Sequence, residues 1–232
     1  MRAFELALEE GADAFELDVH VSADDVPVVI HDPSLARTTG VPALVADLPV
    51  ERIQELDAGA RFSTDGGRTF PLRDKGIRVP HFAEVLEAFP SVPCIVEIKC
   101  RAASEAVRRT LLEHEAADRC ILMSFDALAL DPFRAAPWLT GATSGDAQRL
   151  IRCAVTGRAP DPTRYALLSL PEHFHRFPLP IELLARTARR MGKPLHIWQI
   201  DSPRRARNLW RKGVSGIVTN YPAEIRAARD SA

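Results

Sequence analysis

Apolar runs with strand character recur along this chain with helical segments between them, and that alternation restricts its fold more than any other feature. The run AFELDVHV sets Phe15, Leu17 and Val19 on one face of a strand and Glu16, Asp18 and His20 on the other. Six further strand-like runs follow: Cys94–Lys99, Cys120–Phe125, Trp138–Ala142, Tyr165–Leu170, Leu195–Ile200 and Val214–Thr219. Helical spacing predicts helices over Ala102–Glu115, Asp146–Thr156, Ile181–Met191 and Pro203–Lys212, with Gly192 and Gly213 at helix ends. Strands separated by helices in this way pair in parallel.

Two parallel architectures accept such a pattern. An open doubly wound sheet holds its ligand on a glycine-rich loop after the first strand, and neither GxGxxG nor GxxxxGK[ST] occurs in the sequence. The pattern therefore predicts a single-domain TIM-type (β/α)8 barrel over residues 1–232. The length of 232 residues is slightly under the roughly 250 typical of that fold. The chain opens with a helix, whose face carries Phe4, Ala7, Leu8 and Gly11, where a βα repeat opens with a strand. Seven strands and a leading helix predict a barrel that lacks its first strand. Thr38–Val79 breaks the alternation and is rich in Gly, Pro, Asp and Arg; it reads as a small insertion after the second strand, at about residues 38–79. Within it, LPVERIQELDAGARF predicts one short helix at most, and the next regular helix is expected to start near Pro80.

Composition narrows the function classes. Thirty Lys and Arg against 31 Asp and Glu leave a net charge of -1, with no basic excess for a nucleic-acid backbone. No apolar run reaches the 18 or more residues of a membrane span, and the acidic opening MRAFELALEEGADAFELD is unlike a signal peptide, so a cytoplasmic protein is expected. The four cysteines form no CxxC pair; Cys94 and Cys120 lie in apolar strands, where a reduced thiol packs as a small hydrophobe.

The chemistry is concentrated on two strands. Glu16 and Asp18 project from the same face, and two neighbouring anions in a low-dielectric site repel unless a cation joins them. Hard oxygen donors suit Mg²⁺ or Ca²⁺; a salt bridge to a buried lysine or arginine is the structural alternative. The following DVHVSADDVPVVIHD reads as a hairpin with a polar turn at Ala23–Asp25 and an apolar return over Val26–Ile30. A two-residue turn at Ala23–Asp24 sets residue 31 opposite residue 16, and one centred on Asp24–Asp25 sets it opposite residue 18. Either register brings His31, a group suited to proton transfer near neutral pH, beside the carboxylates. The run VEIK adds Glu97 as a third oxygen donor and Lys99 as a fixed positive charge on the same face, a set suited to holding phosphate; an internal Glu97–Lys99 pair is the alternative. His20 shares the carboxylate face, but its distance along the strand favours a surface or packing role. His173 and His175 read as a solvated loop pair, and His81 and His196 have no acidic neighbours at useful spacing.

The run GADAFELDVHVSADDVPVVIHDPSLARTTG, with LDAGARF, VPHFAEVLEAF, VEIK, the SFD at Ser124–Asp126, IWQIDSP and GVSGIVTNYP, resembles the glycerophosphodiester phosphodiesterase family. The resemblance covers nearly the whole chain and is weakest from Pro137 to Thr163. It implies a (β/α)8 barrel that uses a divalent metal to hydrolyse glycerophosphodiesters to glycerol phosphate and an alcohol. Residue by residue it implies Glu16, Asp18 and Glu97 as metal ligands and His31 as the second of two catalytic histidines. Lys99 matches the phosphate-contacting lysine, and Trp198 the aromatic residue near the substrate mouth. The family pattern also has a first strand ending in His-Arg-Gly, a run that does not occur here; the expectation is a chain that binds metal but hydrolyses poorly. A metal- and phosphate-binding barrel without turnover, and a related phospholipase-type phosphodiesterase, are the alternative readings. The missing strand leaves three outcomes open, a homodimer across the gap, an adjusted sheet or poor folding, and a small-molecule glycerophosphodiester is the expected partner.

Overall fold

The computed structural model describes residues 1–158, 165–174 and 176–231, which fall into two compact units: Met1–Phe4 with Phe15–Trp138, and Glu5–Ala14 with Leu139–Ala232. The leading helix α1 spans Arg2–Glu9 and is followed by Gly11 at φ 84°, the left-handed conformation expected just past a helix end.

The first unit is built on a sheet with the order β2-β1-β3-β4, formed by β1 (Phe15–Val21), β2 (Pro27–Val29), β3 (Cys94–Ile98) and β4 (Cys120–Met123). The β1–β2 pair is antiparallel, and β1, β3 and β4 run parallel. Alternation holds along β1: Phe15, Leu17 and Val19 are buried, while Glu16 is exposed and Asp18 half-buried. Between β2 and β3 the chain passes through the short helices α2 (Ala36–Thr39), α3 (Val50–Gln54) and α4 (Phe82–Ala88). The segment before α4 carries a small core of its own, with Leu35, Val45, Val50, Ile53 and Val79 packed under Val28 and Ile30. Helix α4 starts at Phe82, near Pro80 as expected, with His81 as its N-cap and the Glu84 side chain reaching back to accept from His81 N at 2.8 Å. A single turn at Arg101–Ala103 leads into α5 (Ser104–Glu113), which buries Val107 and Leu111. Beyond β4, Ala127–Phe133 is a 3-10 segment with Pro132 inside it, a length of regular structure that no apolar period announced.

The second unit holds β5 (Leu139–Thr140), α6 (Ser144–Thr156), β6 (Leu168–Pro171), a small hairpin of β7 (His173–Phe174) and β8 (Phe177–Pro178), α7 (Ile181–Arg190), β9 (Leu195–Trp198), α8 (Pro203–Arg211), β10 (Gly216–Ile217) and α9 (Pro222–Asp230). Strands β6, β9 and β10 form a parallel sheet of order β10-β9-β6. Helix α7 shows why the sequence takes this form. Ile181, Leu184, Ala185 and Ala188, at helical spacing, are all buried against the core of this unit. Helix α8 starts with Pro203 in its first turn and Ser202 as cap. Strands and helices were expected at all these places except β7, β8 and α9.

Candidate active site

The site begins with the parallel register of β1 on β3, which pairs Asp18 with Glu97 and Glu16 with Ile95. Side chains at paired positions share a face, so the alternation on two neighbouring strands assembles three carboxylates. One oxygen from each of Glu16, Asp18 and Glu97 lies within 4.8 Å of the others. Lys99 joins them: its Nζ is 2.8 Å from Asp18 Oδ1 and 2.7 Å from Glu97 Oε1. Burial alone would depress the Lys99 ammonium, but its pairs with Asp18 and Glu97 outweigh that and hold its pKa above the ordinary value. The ion-pair alternative is thus present, with Lys99 as the internal partner, and a net charge of about -2 remains when all three carboxylates ionise.

Glu16 carries the cost of that excess. Its carboxylate opens to solvent, yet the surrounding protein, then the charges of Asp18 and Glu97, push its pKa up to about 7. A group that keeps its proton to neutrality beside two other carboxylates marks a donor set short of positive charge. Three hard oxygens at this spacing, each able to supply an anionic ligand, fit a divalent cation such as Mg²⁺ or Ca²⁺.

His31 reaches the site by a register that differs from both expected ones. Val19 pairs with Val29 and Val21 with Pro27, and Ile30 N donates to Asp18 O at 3.0 Å, so position 31 falls opposite 17. The reason is a three-residue turn: Ser22 N bonds Val26 O at 3.0 Å, and Asp25 takes φ 60°, the left-handed conformation that Asp tolerates. Regular pairing stops at Val29, so strand alternation does not fix the direction of the His31 side chain. The His31 imidazole is near enough to Glu16 to lower its pKa by charge. It is largely exposed, and its Nδ1 lies 2.7 Å from Asp32 Oδ1. Arg37 Nε donates to the other Asp32 oxygen at 2.5 Å, and this bond, then that with His31, holds the Asp32 pKa down to about 2. An ionised Asp32 accepts the proton of Nδ1 and leaves Nε2 of a neutral His31 as the free base.

Two supporting residues, Asp32 and Arg37, escaped the expectations from sequence. Asp32 and Arg37 stood inside the quoted motif, and their signal was adjacency to His31 and a five-residue spacing across a turn. His20, expected at the surface or in packing, is buried, and its Nε2 lies 3.2 Å from the His31 carbonyl oxygen, steadying that backbone. Ser124, from the SFD run, donates to Ile98 O at 2.7 Å and ties the ends of β3 and β4 together between Glu97 and Lys99. Trp198 stands half-buried at the C-terminal end of β9, in the second unit. His173 is exposed on β7, as expected of a loop pair, while His175 lies outside the described residues.

The profile of the glycerophosphoryl diester phosphodiesterase family matches residues 1–224. A glycerophosphodiester phosphodiesterase of Caldanaerobacter subterraneus subsp. tengcongensis is 30% identical, over 96% of this chain and 88% of its own. The solved glycerophosphodiester phosphodiesterase of Agrobacterium tumefaciens superposes with a TM-score of 0.75 at 24% identity, covering 97% of this chain and 90% of that one. A phosphodiesterase of Oleispira antarctica, solved in complex with the product sn-glycerol-3-phosphate, has a TM-score of 0.76 at 22% identity over 98% and 90% of the two chains. The fold class is the TIM-type (β/α)8 barrel, and the chain belongs to the glycerophosphoryl diester phosphodiesterase family.

Proposed function

We propose that this chain is a phosphoric diester hydrolase that cleaves glycerophosphodiesters to glycerol phosphate and an alcohol at the Glu16–Asp18–Glu97 cluster. The observation that carries the reading is the convergence of three carboxylate oxygens within 4.8 Å, beside a lysine and a histidine, in a chain of this family. Glu16, Asp18 and Glu97 would hold a Mg²⁺ or Ca²⁺ ion, which when bound polarises a phosphoryl oxygen and offsets charge developing on the phosphate.

The remaining steps belong to side chains. Lys99, protonated and fixed between Asp18 and Glu97, presents its charge to a phosphate oxygen. His31 moves a proton at Nε2, as base toward the attacking hydroxyl or as acid toward the leaving alcohol, with Nδ1 held by Asp32. Trp198 is proposed as an apolar wall at the substrate mouth. A cytoplasmic setting belongs to the same reading, since all four cysteines are free, as in a reducing compartment. No helix among the described residues is long and apolar enough to cross a membrane.

The test is release of sn-glycerol-3-phosphate from glycerophosphocholine and glycerophosphoethanolamine, followed with and without a chelator, for the natural sequence and Asp18→Asn. Cation-dependent product formation that Asp18→Asn abolishes is expected. Cation-independent turnover, or turnover that survives Asp18→Asn, would overturn the assignment.

A further inference from the structure

The parallel register of β3 on β4 sets two cysteines side by side, Cys94 directly paired with Cys120. Both are core residues, 3% and 0% exposed, at the N-terminal ends of their strands. Paired residues on neighbouring strands have side chains on one face and backbones about 4.8 Å apart. That separation falls inside the roughly 4.4–6.8 Å between Cα atoms that a disulfide spans. The Cys94 thiol donates to the Val92 carbonyl at 3.5 Å.

A cation completes this environment. Arg119, the residue before Cys120, is half-buried and donates to Val92 O at 2.9 Å and to Leu86 O at 3.0 Å. Arg119 and the Cys94 thiol thus share the Val92 carbonyl as acceptor. The neighbouring Cys120 and the Arg119 charge hold the Cys94 thiol below its ordinary pKa, while Cys94 and burial push the Cys120 thiol up. Arg119, on the same Val92 carbonyl as Cys94, puts its positive charge on the Cys94 side of the pair, which assigns Cys94 as nucleophile and Cys120 as resolving group. Cys100 and Cys153 are free as well, and neither is paired with a second cysteine.

We infer that Cys94 and Cys120 form a reversible redox pair, a modification site for peroxide-class oxidants at the end of β3 opposite Glu97. Cys94 thiolate attacks one peroxide oxygen, the O–O bond breaks, and hydroxide leaves with the electron pair. The Cys94 sulfenic acid that results is attacked by the Cys120 sulfur. The S–O bond breaks as the S–S bond forms, and the Cys120 proton leaves with hydroxide as water. Two thiols lose two electrons, which the peroxide takes up, and an external dithiol reverses the change.

The experiment treats the full, reduced chain in its native state with a small excess of hydrogen peroxide. Denaturation in an alkylating agent and non-reducing peptide mass spectrometry follow. The expected product is a single crosslink between the peptides carrying Cys94 and Cys120, two hydrogens lighter than their sum and lost on adding dithiothreitol. Of the four cysteines, Cys100 and Cys153 stay alkylated. Cys94→Ser and Cys120→Ser each remove the crosslink and leave the remaining partner as a free thiol. Alkylated Cys94 and Cys120 after treatment would overturn the inference, as would oxidation of Cys100 or Cys153 ahead of them or a crosslink that forms only in denaturant. The native sequence alone decides the result, whether or not the serine variants fold.

Discussion

In the proposed metal site, Glu16 is the residue through which acid would compete with a cation. Its pKa in the folded chain, about 7, stands above the ordinary 4.5, so the folded state holds this proton more tightly than the unfolded one. Its contribution to stability is therefore full below about pH 4.5 and is lost as pH rises through 7 in the metal-free chain. A cation bound at the cluster must displace that proton, so its affinity is expected to fall about tenfold per pH unit below 7 and to level off above it. Calorimetric titrations at several pH values check this, and Glu16→Gln should remove the slope. Asp32 gives a second prediction: Asp32→Asn frees the Nδ1 side of His31 and should lower kcat by on the order of 10²-fold with little change in KM. Because Asp32 acts through His31, the double variant with His31→Ala should be no slower than His31→Ala alone. The carboxylates and Lys99 were legible because a period of two on a strand fixes a face. Asp32 and Arg37 were not, because they sit on a turn where no period exists and only the folded chain shows which side chains meet.

Hairpins and strand ends decide where those side chains point. The β1–β2 turn depends on Asp25 in the left-handed region, where a β-branched residue is disfavoured by about 1–2 kcal/mol. Asp25→Val should lose about that much stability in urea unfolding, and Asp25→Gly should lose none. Equal stability of the two variants would contradict the turn described here. At the far end of β3, Ser124→Ala removes the bond to Ile98 O and should cost about 1–2 kcal/mol, the range for a buried carbonyl losing its donor. The strands themselves were readable from apolar runs flanked by turn residues, to within three residues at either end. Hairpin register was not, since a three-residue turn and a two-residue turn differ by one position and the sequence SADDV accommodates either. The segment before α4 hid its small core for a related reason. Leu35, Val45, Val50 and Ile53 follow neither a helical nor a strand period, and they meet only once the loop has closed.

On the scale of the whole molecule, the alternating pattern was enough to reach the barrel class, because each strand–helix unit buries its apolar face in the same way. Helix α9 was missed: PAEIRAARD buries only Ile225 and Ala228, too few apolar positions to show a period. Where the period is strong, its energetic weight is testable. Leu184, fully buried on α7, should cost about 2–5 kcal/mol on replacement by Ala, measured by chemical unfolding. Ligation acts on the same scale, since a cation that binds only the folded chain at 100 times its Kd adds about 2.7 kcal/mol to its stability. The most direct test of the account is calorimetric titration of Mg²⁺ and Ca²⁺ into the chain at pH 8, beside Asp18→Asn and Glu97→Gln. One cation per chain, with binding weakened at least about tenfold, or about 1.4 kcal/mol, in each variant, is the predicted result. No saturable binding, or equal binding by the variants, would contradict the claim that Glu16, Asp18 and Glu97 form a metal-dependent phosphodiesterase centre.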